Sequence, residues 1–333
     1  MARVTKKRKP DPPPESPLAV LAEKHLKDLE VKNYSKYTVK NRRVFLGFFL
    51  AWCHDRGITE PTEATRPILE HYQRYLFHYR KKNGEPLSFR SQHTRLAPLK
   101  VWFRWMARQR YILNNPASEM ELPRLEHRLP KHVLTASEAE QVLLQPDIGD
   151  LLGLRDRAML ETLYSTGMRR MEMINLKLYD LDTERGTLTI RQGKGKKDRV
   201  IPIGERASAW VEKYVRESRP QLVVEPDDRT VFLSNAGEPF CLDHLSNLVR
   251  DYVDKADIGK RGACHLFRHS MATLMLENGA DIRFIQQMLG HADLNSTQIY
   301  THVSIGKLKQ IHTATHPARL PKKPPPPEEN EEK

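Results

Sequence analysis

Between Cys264 and Val303 the chain reads CHLFRHSMATLMLENGADIRFIQQMLGHADLNSTQIYTHV, and His265, Arg268, His269, His291 and Tyr300 punctuate its apolar helical stretches. One chemistry joins a tyrosine to arginines and histidines without an acidic cluster: attack of a phenol on a phosphodiester. The phosphate calls for planar, bidentate donors, which arginine supplies better than lysine. A phenol of pKa about 10 needs nearby positive charge or a base to lose its proton. A second arginine and a lysine are then expected upstream.

Singly, these residues have blander readings. Tyr300 alone fits a core tyrosine and His291 alone a turn histidine. His265 and His269, at i and i+4 beside Cys264, have the spacing of zinc ligands, but no second cysteine or acidic cluster supports a metal. It is the ordered set that carries information. The H-x-x-R-H run at 265–269, the Leu289-Gly290-His291 run and a tyrosine nine positions after that histidine resemble the tyrosine recombinases, also called the phage integrase family, and their Xer-type members most closely. The resemblance spans roughly residues 16 to 318.

What the resemblance implies is specific. The family's first catalytic arginine follows a T-G-apolar turn, here Thr166-Gly167-Met168-Arg169, with Arg170 as the neighbouring rival. Glu172 matches the acidic residue that orients this arginine. The catalytic lysine of the family sits at the first Gly-Lys of a hairpin, here Lys194; Lys196, Lys197 and Arg199 are read as phosphate contacts. The implied site is therefore Arg169, Lys194, His265, Arg268, His291 and Tyr300. In it the arginines clamp the phosphate and Tyr300 forms a 3′-phosphotyrosyl link. His265 serves the phenol as base, Lys194 protonates the leaving 5′ oxygen and His291 bonds the phosphate. No ATP, metal or other cofactor is implied. The implied assembly is a tetramer on two DNA sites, of one chain or shared with a second recombinase. Two other functions stay open: a DNA-binding protein of the same fold that does not cleave, and relaxation of DNA in the manner of a type IB topoisomerase.

The elements that must position these residues can be read from the pattern. Leu266, Met271, Leu274 and Met275 recur at helical spacing and predict one buried face, with His265, Arg268 and His269 near the other, open to a partner outside the core. A turn at Gly279, a second helix ending at Gly290 and a short third helix holding Tyr300 follow. Upstream, Thr135-x-x-Glu138 predicts a capping box. The apolar face of Leu154, Ala158, Met159, Leu163 and Tyr164 predicts a helix that Gly167 ends. Residues 187–203 (TLTIRQ, GKGKKD, RVIPI) predict a hairpin; its Gly-Lys-Gly lacks the spacing and following helix of a nucleotide loop. Helices are expected over 204–220 and 242–257, with a short strand and turn at 230–240.

Residues 16–113 read as helices only. Thr38 is the expected cap of a helix bearing Phe45, Phe48, Phe49 and Trp52; Ile68, Leu69, Tyr72, Tyr75, Leu76 and Tyr79 mark a second, and Leu99, Trp102, Phe103 and Met106 another. The helical spacing assigns these aromatic residues to a core. By resemblance this region is the helical core-binding (SAM-like) domain that grips DNA opposite the active site. The expected organisation is a basic, proline-rich disordered arm at 1–15, that domain at 16–113 and a linker at 114–133 carrying Pro116, Pro123 and Pro130. The catalytic domain follows at 134–318, and a disordered proline-rich, acidic tail at 319–333. The fold class is mainly α with a small β-sheet. Nothing before residue 16 reads as a further arm-binding domain.

Composition agrees with a nucleic-acid partner. A net charge of +13 and a pI near 9.6, with basic residues spread through the chain, point to a polyanion. Cys53, Cys241 and Cys264 show no pairing pattern, which predicts a reducing compartment. No apolar run approaches a membrane span and no signal peptide follows Met1, so a cytoplasmic, DNA-associated protein without membrane contact is expected.

Overall fold

The computed structural model describes residues 15–125, 132–191, 193 and 198–290. The chain divides into two compact units, Met1–His127 and Arg128–Lys333. Four helices form the first: α1 (Pro17–Val31), α2 (Lys36–His54), α3 (Arg66–His78) and α4 (Phe89–Arg108). Three of them start on a serine, Ser16, Ser35 and Ser88, whose hydroxyl accepts the amide three residues on. The cap of α2 is thus Ser35, not Thr38; Thr38 lies inside the first turn, and its own hydroxyl meets that of Ser35 at 2.8 Å. Serine and threonine cap about equally well, so residue type alone does not separate the two positions.

Phe49, Trp52, Tyr72, Trp102 and Phe103 are buried together, and Phe49 meets Tyr72 edge-on at 4.9 Å. Such a pair adds about 1 kcal/mol beyond its buried area. Basic side chains cover the rim of this core, with Arg56 over Trp52 at 4.2 Å and Arg95 over Phe48 at 4.4 Å. The proline-bearing stretch after residue 114 is held to the same unit. Ala117 and Met120 are buried, and the carbonyls of Met120 and Glu121 accept from Lys100 Nζ and Gln73 Nε2.

The second unit is built on α6 (Leu151–Thr166), preceded by α5 (Ala136–Leu143), which opens on the Thr135–Glu138 capping box. Twelve of the sixteen residues of α6 are buried, among them Arg155, Asp156, Arg157 and Glu161. Buried charges survive only when paired. Arg157 donates to Glu161 and to the Leu143 carbonyl, Arg206 donates to the other oxygen of Glu161, and Arg155 pairs with Asp156. Next come α7 (Arg170–Ile174), a 3-10 turn (Leu178–Asp180) and strands β1 (Leu181–Asp182), β2 (Thr187–Ile190) and β3 (Arg199–Pro202). The strands form an antiparallel sheet in the order β1-β2-β3, with Leu188 opposite Ile201 and Thr189 opposite Val200.

The helix expected over 204–220 resolves into α8 (Glu205–Glu217) and the short α9 (Arg219–Leu222). The strand expected near 230–240 is reduced to single bridges, Thr230 to Lys177 and Leu233 to Pro239. Then α10 (Leu242–Lys255), α11 (Cys264–Glu277) and α12 (Ile282–Leu289) complete the described chain. Among the described residues no helix is long and apolar enough to cross a membrane.

Candidate active site

Three arginines from three separate elements converge on the carboxyl end of α12. Arg199 donates Nε–H to the Met288 carbonyl at 3.1 Å, Arg268 donates Nη2–H to the Leu289 carbonyl at 2.7 Å, and Arg169 donates Nη2–H to the Gly290 carbonyl at 3.0 Å. The last carbonyls of a helix have no partner within it and carry partial negative charge, so cations are favoured there. Each arginine thereby fixes the end of α12, and the end of α12 fixes each arginine.

One carboxylate organises two of the three. Glu172 is buried and accepts four hydrogen bonds. Arg169 gives two, from its backbone N (2.8 Å) and Nη1 (2.9 Å); Arg199 gives the others, from Nη1 (2.9 Å) and Nη2 (2.8 Å). Burial alone raises the carboxyl pKa, but these bonds and the two positive charges outweigh it, and Glu172 is held below the ordinary carboxylate range. Arg169 stands at the N-cap of α7, where a positive charge is unfavourable without a partner; the reach of Glu172 back to its amide supplies one.

Two glycines make the convergence possible. Gly167 ends α6 at φ +57°, and its carbonyl accepts Arg268 Nη1–H at 2.7 Å; a Cβ there would run into the methyl end of Met271. Gly290 ends α12 at φ +60°, with the Arg199 guanidinium where its Cβ would be. Both positions lie in the left-handed region that side-chain-bearing residues avoid.

The structure places the expected residues unevenly. Arg169 and Arg268 are brought together around the end of α12. Arg268 is not on an open face, as its helical position predicts. It is 3% exposed, because α11 is covered on that side by the α6–α7 turn and by α12. His265, one turn earlier, is exposed. Local desolvation and then the charges of Arg268, Arg170 and Arg169 lower its pKa, which keeps the imidazole neutral at pH 7. His269 is pushed down to about 4 by burial, by His265 and by Arg268. The two histidine rings lie 6.4 Å apart, and desolvation pushes the buried Cys264 thiol up to about 11. Arg170, the rival of Arg169, donates instead to Ser246 Oγ.

Lys194, His291 and Tyr300 lie outside the described residues, as do Lys196, Lys197, the third short helix, residues 1–14 of the arm and the tail. Arg199 departs from its reading as a phosphate contact. Its side chain is 15% exposed and is spent on Glu172 and Met288. Strand periodicity contained the signal: Arg199 and the buried Ile201 share one face of β3.

The comparisons with known proteins agree with this geometry. The pattern described as "Phage integrase family" matches residues 132–306. The tyrosine recombinase XerC 2 of Ralstonia nicotianae is 52% identical over 315 residues, covering 95% of this chain and 90% of that protein. The tyrosine recombinase XerD of Pseudomonas putida is 35% identical over 287 residues, covering 86% and 93%. Among solved structures, the XerH site-specific recombinase in a post-cleavage complex with palindromic difH substrate shares the fold. Its TM-score is 0.67 at 23% identity, over 88% of this chain and 83% of that one.

Proposed function

Because this chain belongs to the phage integrase family, as a Xer-type tyrosine recombinase that cuts and rejoins DNA, we propose that Arg169, Lys194, His265, Arg268, His291 and Tyr300 carry out that reaction. The observation that carries the assignment is the convergence of Arg169 and Arg268 on the end of α12, immediately before His291 in the chain. The two guanidinium groups present fixed positive charge to a scissile phosphate, and being already fixed they need no reorganisation as charge develops. Tyr300 attacks phosphorus in line, so its Oη–P bond forms as the P–O5′ bond breaks. The neutral imidazole of His265 takes the phenol proton, and Lys194 gives a proton to the departing 5′ oxygen. His291 bonds a non-bridging oxygen. The phosphotyrosyl ester retains the bond energy, so a 5′ hydroxyl from another strand reverses the step and rejoins the DNA.

In the same reading the helical unit, residues 16–113, and the catalytic domain, 134–318, grip duplex DNA. The active assembly is a tetramer on two DNA sites, of this chain alone or with a second recombinase, in the cytoplasm. The test is single-turnover cleavage of a nicked substrate carrying the recombination site. Arg169→Ala and Arg268→Ala each cost on the order of 10²–10³ in rate while DNA affinity falls far less. Variants that cleave at the wild-type rate would remove these arginines from the site.

A further inference from the structure

We infer that Arg199 is a positioning residue for DNA cleavage, acting through Glu172 on the Arg169 guanidinium. This rests on the assignment of Arg169 above. Both oxygens of Glu172 are shared between the two arginines: Oε1 accepts Nη1–H of each, and Oε2 accepts the Arg169 amide and Arg199 Nη2–H. Two consequences follow. The fork of Arg199 fixes the plane of the carboxylate, and that plane fixes where Arg169 Nη1 points. The charge of Arg199 also offsets that of Glu172. Without it, a buried carboxylate would pair one-to-one with Arg169 and cancel the positive charge that the phosphate is to meet. The third bond of Arg199, to Met288, and its contact with Gly290 tie the same group to the carbonyl row that holds Arg169 and Arg268. Lysine cannot reproduce this, since a single ammonium makes neither the fork nor the additional Nε bond.

The experiment compares cleavage of two nicked duplexes that differ at the scissile position: an ordinary phosphate, and a methylphosphonate in which a methyl replaces one non-bridging oxygen and removes the negative charge. Tyrosine attack still expels the 5′ hydroxyl in both. Arg199→Met slows cleavage of the phosphate on the order of 100-fold, as small misplacements in an active site do. On the methylphosphonate, which asks less of Arg169, the deficit narrows to within about ten-fold, and Arg169→Ala shows the same relief. Arg199→Lys falls between wild type and Arg199→Met, and serves as the variant to read if Arg199→Met does not fold.

An equal deficit on both substrates for Arg199→Met, with Arg169→Ala relieved, would make Arg199 a purely structural residue and overturn the inference. So would an Arg199→Met enzyme that cleaves the phosphate at the wild-type rate. If Arg169→Ala itself cleaves the phosphate normally, the assignment of Arg169 fails and the inference falls with it, an outcome separate from the other two.

Discussion

Replacing Glu172 by glutamine removes the hub of the site while nearly conserving its shape. The side chain is 4% exposed and accepts four hydrogen bonds. The amide keeps one acceptor oxygen and turns an NH2 group towards guanidinium donors. Loss of one partner from a buried charged set costs about 3–5 kcal/mol. Arg169 and Arg199 are 20% and 15% exposed and regain some hydration, so the lower end, about 3 kcal/mol, is expected. With a urea slope of about 2–3 kcal/mol per molar, the midpoint of the second unit moves down by about 1–1.5 M. The assay is urea unfolding read by amide exchange in peptides from α7 and α12.

The effect also carries a pH signature. The folded-state pKa of Glu172 is depressed, so its contribution is complete above the ordinary glutamate value of 4.5 and is lost as pH falls through the lower folded value. The gap between wild type and Glu172→Gln is therefore full at pH 7 and narrows below pH 4.5. A shift smaller than about 0.3 M, or one that stays the same on acidification, would refute the hub reading.

Other consequences are checked more simply. With the His265 pKa lowered from 6.5, single-turnover cleavage is flat between pH 7 and 8 and falls on acidification only below pH 6.5, and His265→Gln loses this inflection. A wild-type rate that climbs between pH 7 and 8 would assign the base elsewhere. Gly290→Ala forces a side chain into the left-handed region, at about 1 kcal/mol or more, and drives Cβ to 2.9 Å from the Arg199 guanidinium. A lower urea midpoint and slower cleavage are expected together, and an unchanged midpoint would contradict the packing described. Affinity for the DNA site drops by about 10³-fold or more between 50 and 200 mM salt if six or more phosphates are contacted. A flat salt dependence in gel-shift titrations would exclude the basic surface as the binding face.

Much of this site was legible in the sequence because its signals are local. The Thr135–Glu138 box, the turns at Gly167, Gly279 and Gly290, and the hairpin alternation each depend on residues within one or two turns of each other, and each appears in the fold. The partnership of Arg169 with Glu172 was legible for the same reason, being a contact across three positions. What escaped depends on contacts distant in sequence. Arg268 reads as open on its own helix and is enclosed only because Gly167, 101 positions earlier, and Leu289 close over it. Arg199 reads as one more cation of a basic loop, and only the arrival of Glu172 and Met288 shows that its guanidinium is held inside the site. Ser270 likewise gives no hint in sequence that its hydroxyl accepts the Leu134 amide at 2.7 Å.

In the proposed reaction Tyr300 becomes covalently joined to DNA while Arg169 and Arg268 hold the phosphate. Its most direct test is to trap the protein on a nicked site, denature in detergent, digest protein and DNA, and identify the residue bearing the nucleotide by mass spectrometry. The expected result is a single adduct, a 3′-phosphotyrosyl at Tyr300, absent from Tyr300→Phe although that variant still binds the site. An adduct on another residue, or one that persists in Tyr300→Phe, would contradict it.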